Sequence, residues 1–247
     1  MPLVHVVAVT GSLLLFQPEA VDAVTLATQL QSNNPETRAG ASKTLSERPE
    51  LRPQVRDVLT AAAEEENAAV LAWSRQQHGV EEEFPEEGQE VYGALLEVTI
   101  RTDSRALRAL IQSPFNEDSV FARKLSALGD PLVPLILERV RAGEIEKACG
   151  LAGEMGRLKL QNASGISDDS FLAMKGLLLR TLRSRKVSAR MVAVRSLGMI
   201  GSKRDLPRLR LLEQTDPARD RRGRYVVREW AAEAVAAIER RVGIPVR

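Results

Sequence analysis

Cysteine, histidine and aromatic residues are scarce in this chain, and each shortage removes a class of chemistry. A single cysteine, Cys149, excludes a disulfide framework within the chain and any cysteine-based metal site. It lies in EIEKACGLAGEMG, a run of small residues with no histidine nearby to activate a thiol, so it is expected as a small buried hydrophobe. His5 and His78 are the only histidines, too few for a His-rich zinc site, and no carboxylate spacing marks either as part of a zinc helix. Gly150, Gly153 and Gly156 recur every third residue inside a helical pattern and do not follow a strand, so they are not a phosphate loop. No Gly-x-Ser-x-Gly elbow occurs. The sequence therefore predicts no enzyme, no cofactor and no metal site.

Charge of one sign is missing locally. No Lys or Arg precedes Arg38. From Lys175 to the end there are 19 Lys/Arg against 7 Asp/Glu, a net of +12, while residues 1–174 hold 16 against 26, a net of −10. Such asymmetry points to an anionic partner or to one end meeting the opposite end of another copy. The stretch Glu81–Glu90, EEEFPEEGQE, carries six Glu. It lacks the alternating Asp/Asn and the Gly turn of a calcium loop and reads as a solvated entry to the next helix.

Long hydrophobic runs are also lacking. The uncharged run near the start, Val6 to Phe16, is too short to cross a bilayer, so no transmembrane span is expected. It suits the apolar core of a secretory signal, with Val21-Asp22-Ala23 as the small-residue cleavage site. The expected organisation is a signal peptide at 1–23 and one helical domain at 24–247, in a periplasmic or secreted protein. The alternative is a retained first helix that caps the domain in a cytoplasmic protein.

What is present is mostly helix former. Apolar residues make up 44% of 247, aromatics 4%, and Leu, Val and Ala carry most of the apolar share. The pattern predicts an all-α chain. Helix pairs are expected at Ala23–Gln31 with Pro35–Glu47, at Val91–Arg101 with Ser104–Gln112, and at Val120–Leu128 with Pro131–Arg141. A long helix at Val55–Gln77 is expected to break near Ala61–Glu66. Ile145–Leu160 is a glycine-rich helix that needs a close neighbour, and Asp168 or Asp169 is expected to cap Phe171–Arg183.

The chain is organised around Val187–Pro217. Met191, Val194, Leu197, Gly198 and Gly201 mark one buried helical face, Gly201-Ser202 breaks it, and Asp205 with Pro207 opens a second helix striped by Leu206, Leu209 and Leu212. Such a pair cannot bury both stripes alone and calls for neighbours of its own kind. The register Arg190, Ala193, Leu197 recurs as Arg228, Ala231, Val235, 38 residues later, and as Arg38, Ala41, Leu45 after Asn34-Pro35, 152 residues earlier. Gln76, Pro114 and Ala152 interrupt the 38-residue register between them. With Leu197-Gly198, Asp205, Pro207 and Leu209, this unit resembles the short bacterial HEAT repeat. The resemblance covers about two thirds of the chain. It implies an α-α superhelix, a HEAT-like solenoid of about five or six helix pairs, in which Arg190 and Arg228 serve packing.

Two functions follow as expectations. One is a non-enzymatic scaffold that binds an unidentified protein partner on the concave face of the second helices. The other is nucleic-acid binding through a C-terminal basic edge: Arg183, Arg185, Lys186, Arg204, Arg208, Arg219, Arg221, Arg222 and Arg224, with Lys203 and Arg210 nearby. Loops of a solenoid align, so these charges are expected to add into one stripe. Self-association of the acidic front with the basic back is a third reading.

Overall fold

Apolar residues spaced three and four apart write the helices of this chain, and short polar residues set where they begin. A computed structural model describes residues 18–76, 89–114, 119–162 and 165–243. Among these it contains twelve α-helices, two 3-10 turns and no strand, so the all-α expectation is met. The run Val6–Phe16, both histidines and residues 81–88 of the acidic stretch lie outside the described residues.

The helices are α1 (Pro18–Leu30), α2 (Pro35–Glu47), α3 (Arg52–Gln76), α4 (Gln89–Val98), α5 (Ser104–Gln112), α6 (Val120–Ser126) and α7 (Leu132–Arg141). They continue as α8 (Ile145–Leu160), α9 (Asp168–Thr181), α10 (Val187–Ile200), α11 (Leu206–Thr215) and α12 (Val226–Arg241), with 3-10 turns at Pro49–Leu51 and Lys203–Asp205. The break expected in α3 does not occur. Val55, Leu59 and Ala63 stand four apart and are buried, Glu64 and Glu65 face water, and the alanines propagate the helix without interruption.

The caps explain two further departures. Ser167, not Asp168 or Asp169, caps α9: its hydroxyl accepts from the Ser170 N–H at 3.2 Å, and both aspartates sit in the first turn, where they suit the helix dipole. Asp205 does not cap α11 with its side chain. Its carboxylate turns back to the Ser202 N–H at 2.7 Å and to the Lys175 ammonium at 2.6 Å, closing the 3-10 turn before α11. A cation within reach outcompetes the helix donors for that carboxylate.

Helices two apart in the chain lie side by side. The odd-numbered helices α3, α5, α7 and α9 adjoin in that order, and so do the even-numbered α4, α6, α8, α10 and α12. The even-numbered contacts run through small residues. A Cβ on Gly153 would come within 2.5 Å of Ser196 Oγ, and one on Gly156 within 2.6 Å of Ile200 Cδ1. The expected close neighbour of the glycine-rich helix is thus α10. On its other side, α10 brings Gly198 against Ala234 and Gly201 against Ile238. Residues 148–156 of α8 are buried without exception, so α8 sits at the centre of the core, with α10 as its partner. The odd-numbered helices meet through longer side chains, including the ion pairs Arg105–Glu64 between α5 and α3 and Arg108–Glu138 between α5 and α7.

The connections alternate between two edges. On the first edge, the Lys186 ammonium donates to the Gly143 carbonyl at 3.3 Å, and Ser188 donates to Glu146 at 2.7 Å. On the second, the Asp130 N–H donates to the Gly165 carbonyl at 2.9 Å, and the Ser167 N–H donates to the Asp130 carboxylate at 2.8 Å. Gly129 has φ +80°, and a Cβ there would lie 1.9 Å from the Gly165 oxygen, so only glycine fits this edge contact.

Candidate binding surfaces

The α9–α10 connection carries Arg183, Arg185 and Lys186, and the α11–α12 connection carries Arg219, Arg221, Arg222 and Arg224. Arg190 ties the two together. Its Nε and one terminal nitrogen hold the buried Asp216 carboxylate at 2.8 and 3.0 Å, and its other terminal nitrogen donates to the Ser184 carbonyl at 2.8 Å. Arg228 completes the junction by donating from Nε to the Asp216 carbonyl at 2.7 Å. Arg38 reproduces part of this geometry near the start of α2, donating to the carbonyl of Ser32, six residues back, at 2.6 Å. Arg190 and Arg228 therefore hold the α9–α10 and α11–α12 connections together.

These seven basic residues share the first edge. Arg204 does not join them: it lies with Lys203 in the 3-10 turn between α10 and α11, on the second edge. Arg208 stands on α11 and faces α9, and Arg210 pairs with Glu239 of α12. The basic residues thus form no single stripe, because successive connections alternate edges. Asp220 organises the tip of the α11–α12 loop. It accepts the N–H groups of Arg222 and Arg224 at 2.8 and 3.0 Å and the Arg224 guanidinium at 2.8 Å, and Gly223 turns there with φ +79°. The Arg224 N–H, with the Arg224 guanidinium and the Arg222 N–H, holds its carboxyl below the usual carboxylate range. Tyr225 lies between two guanidinium groups, with Arg219 at 4.1 Å and Arg228 at 3.8 Å from its ring centre. Arg183, Arg185, Arg221 and Arg222 are exposed.

Between helices there are open grooves. One of 530 Å³ lies between α7 and α9 and is lined by Leu137, Val140, Ile145, Leu177 and Thr181, with Arg141, Arg180, Arg183 and Ser184 around them. A second, of 450 Å³, lies between α9 and α11 and is lined by Gly176, Leu179, Leu182, Leu211 and Leu212, with Arg180, Arg183 and Arg208. On the even-numbered helices a trough of 600 Å³ between α10 and α12 exposes Met199, Trp230, Ala236 and Ala237 beside Arg195, Glu233 and Arg240. The sequence pattern missed these grooves. Its one trace of them is Leu211, which falls off the buried stripe of Leu206 and Leu209 and is 60% exposed.

Cys149 has no access to solvent. Burial pushes its thiol up to about 11, and it donates to the Thr181 hydroxyl at 3.5 Å. A thiol so placed is inert. Among the described residues no three His, Cys, Asp or Glu side chains come together to hold a metal, and no helix is long and apolar enough to cross a membrane. Comparison with family models, with curated proteins and with solved structures returns no match to this chain.

Proposed function

We propose that this chain is a protein-binding scaffold, an α-α superhelix of six helix pairs of HEAT-like design whose second helices present the binding face. The observation that carries the reading is the side-by-side succession of even-numbered helices, closed by Gly153, Gly156, Gly198 and Gly201. Small residues bring helix axes to the near end of the usual ~8–10 Å range, whereas Leu and Arg between odd-numbered helices hold them further apart. Unequal spacing on the two sides curves a stack, with the closely packed second helices inside. The shared carbonyl-capping geometry of Arg38 and Arg190 supports a repeated unit. The α10–α12 trough supplies an aromatic and a methionine anchor with charges at its rim, the composition of an interface centre.

A photo-crosslinking residue placed at Met199 tests this in the native cell. A discrete protein adduct is expected, lost when Ala237→Arg fills the trough and absent when the crosslinker sits at the exposed Lys43. No discrete adduct, or one unaffected by Ala237→Arg, would remove the reading.

A second reading, a nucleic-acid-binding edge, is favoured by the seven clustered basic residues on the first edge. Replacing Arg221, Arg222 and Arg224 by Glu should then abolish a binding that weakens steeply with salt. It applies only to a cytoplasmic chain. Helix α1 runs through the Ala23–Val24 bond, and Ala23, Leu26, Ala27 and Leu30 are buried in the core. Export after Ala23 and retention of the whole helix therefore give different proteins. The intact mass from native cells separates them: a start at Val24 leaves the scaffold outside the cytoplasm and ends the nucleic-acid reading.

A further inference from the structure

The two grooves beside α9 form one surface, because Arg180 and Arg183 line both. Its floor is apolar. Four guanidinium groups, on Arg141, Arg180, Arg183 and Arg208, stand around it, and no carboxylate lines either groove. On the α7 side, Glu138 is committed to Arg108 and Glu144 to Arg139. A surface with aliphatic anchoring sites and unopposed positive charge selects an acidic segment that carries an apolar side chain.

We propose that this surface docks residues 81–88, EEEFPEEG, of a second copy of this chain. That segment joins α3 to α4, lies outside the described residues, and places five Glu around Phe84. Each groove has room for a bulky aromatic side chain on aliphatic walls, and the flanking carboxylates match the arginines, which can fork onto them. The whole-chain charge agrees, with −10 over residues 1–174 facing +12 over residues 175–247.

Reach keeps the same copy from spanning this surface. The surface runs from the groove between α7 and α9, about 20–25 Å from α3 at ~8–10 Å per helix step through α5 and α7, to the groove between α9 and α11, about 28–35 Å away. Residues 77–88, anchored at both ends, can extend and return over only about 20 Å at ~3.4 Å per residue. The contact is therefore between copies and joins unlike surfaces. Head-to-tail contacts of that kind build rings or open chains, and their attraction is screened by salt. This inference does not depend on the α10–α12 trough, which lies on the even-numbered helices.

Sedimentation velocity of the full chain over a concentration series, at low and high salt, tests it. Self-association is expected at low salt and should be lost at high salt. A synthetic peptide of residues 77–90 should compete it away, and the same peptide with Phe84→Ala should compete roughly tenfold less well. Arg180→Glu with Arg183→Glu changes two exposed side chains and should weaken association by about tenfold or more. Glu82→Lys with Glu83→Lys, Glu86→Lys and Glu87→Lys should do the same from the other side. Mixing these two variants should restore association, since each then offers the charge the other lacks, and unchanged helical circular dichroism shows that both are folded. A monomer at low salt, association indifferent to Arg180 and Arg183, or mixed variants that stay apart would each overturn the proposal. The Met199 crosslink is unaffected by any of these outcomes.

Discussion

Removing the Arg190 side chain should cost more than any other single ion-pair substitution among the described residues. Arg190 and Asp216 retain only 11% and 3% of their side-chain exposure. Two charge-assisted hydrogen bonds join them, and a third runs from the guanidinium to the Ser184 carbonyl. In Arg190→Ala, Asp216 stays buried with the Ala218 N–H at 2.9 Å as its remaining side-chain partner. Stranding one member of a buried pair costs about 3–5 kcal/mol. For a chain of this size that lowers the thermal midpoint by about 6–20 °C, at ~2–4 °C per kcal/mol. The damage should be local to the junction of the α9–α10 and α11–α12 connections, so exchange protection should fall first in α11 and α12. Urea unfolding of Arg190→Ala, Asp216→Ala and the double variant gives the coupling directly. The double variant should be little worse than Arg190→Ala, which corresponds to a coupling of about 2–3 kcal/mol. The comparison is Arg108–Glu138, whose side chains keep 52% and 44% of their exposure and whose loss should cost under about 1 kcal/mol. If Arg190→Ala unfolds within about 1 kcal/mol of the unaltered chain, the junction is not held by this pair and the reasoning fails.

Three further outcomes follow from the same contacts. Gly156→Ala drives a methyl into Ile200 and should destabilise by about 1–2 kcal/mol after its gain in helix propensity, whereas Gly40→Ala, with open space around it in α2, should stabilise by about 0.5–1 kcal/mol; urea midpoints decide both. Burial pushes the Asp205 carboxyl up, but the Lys175 ammonium and the Ser202 N–H and hydroxyl outweigh it and hold it below the usual range. A carboxyl lowered by folding contributes stability above its unfolded value of about 3.9 that is lost as pH falls through the folded value, so Asp205→Asn should flatten the acid side of the stability profile below about pH 4. Cys149 should resist iodoacetamide in the native state at pH 8 and react only on unfolding, as mass spectrometry reports; modification of the native chain would contradict its burial.

The helices were legible because their buried faces repeat at three and four, and α2, α5 and α8 begin and end where that pattern places them. The caps were less so. Ser167 and Asp168 are both able to cap α9, and the choice between them depends on Asp130, 37 residues away, which takes the Ser167 N–H. The 38-residue spacing that relates Arg190 to Arg228 does not carry back to α8, for a definable reason. Ala148, Leu151, Met155 and Gly156 match Arg190, Ala193, Leu197 and Gly198 at a spacing of 42 residues. A fixed step of 38 therefore falls one helical turn too far along α8, on Ala152, within its buried stretch.

The basic edge shows a different limit. Composition counts charges, but the alternation of connections decides which of them meet: Arg183 and Arg221 share an edge although 38 residues separate them, while Arg204 between them faces the opposite way. The grooves beside α9 depend on the spacing between helices, which no local pattern encodes, since Leu179, Leu182 and Leu212 read as ordinary core positions. The glycines of α8 and α10 still carried a usable signal. A helix that sets glycines three apart gives up about 1 kcal/mol at each relative to alanine and keeps its place only where a neighbour fills the space. Gly153 and Gly156 fix the approach of α10, and α10 fixes that of α12 through Gly198 and Gly201. With the even-numbered helices drawn together in this way, the odd-numbered ones are left with longer side chains between them. The openings beside α9 are therefore the structural counterpart of the glycine contacts on the other side.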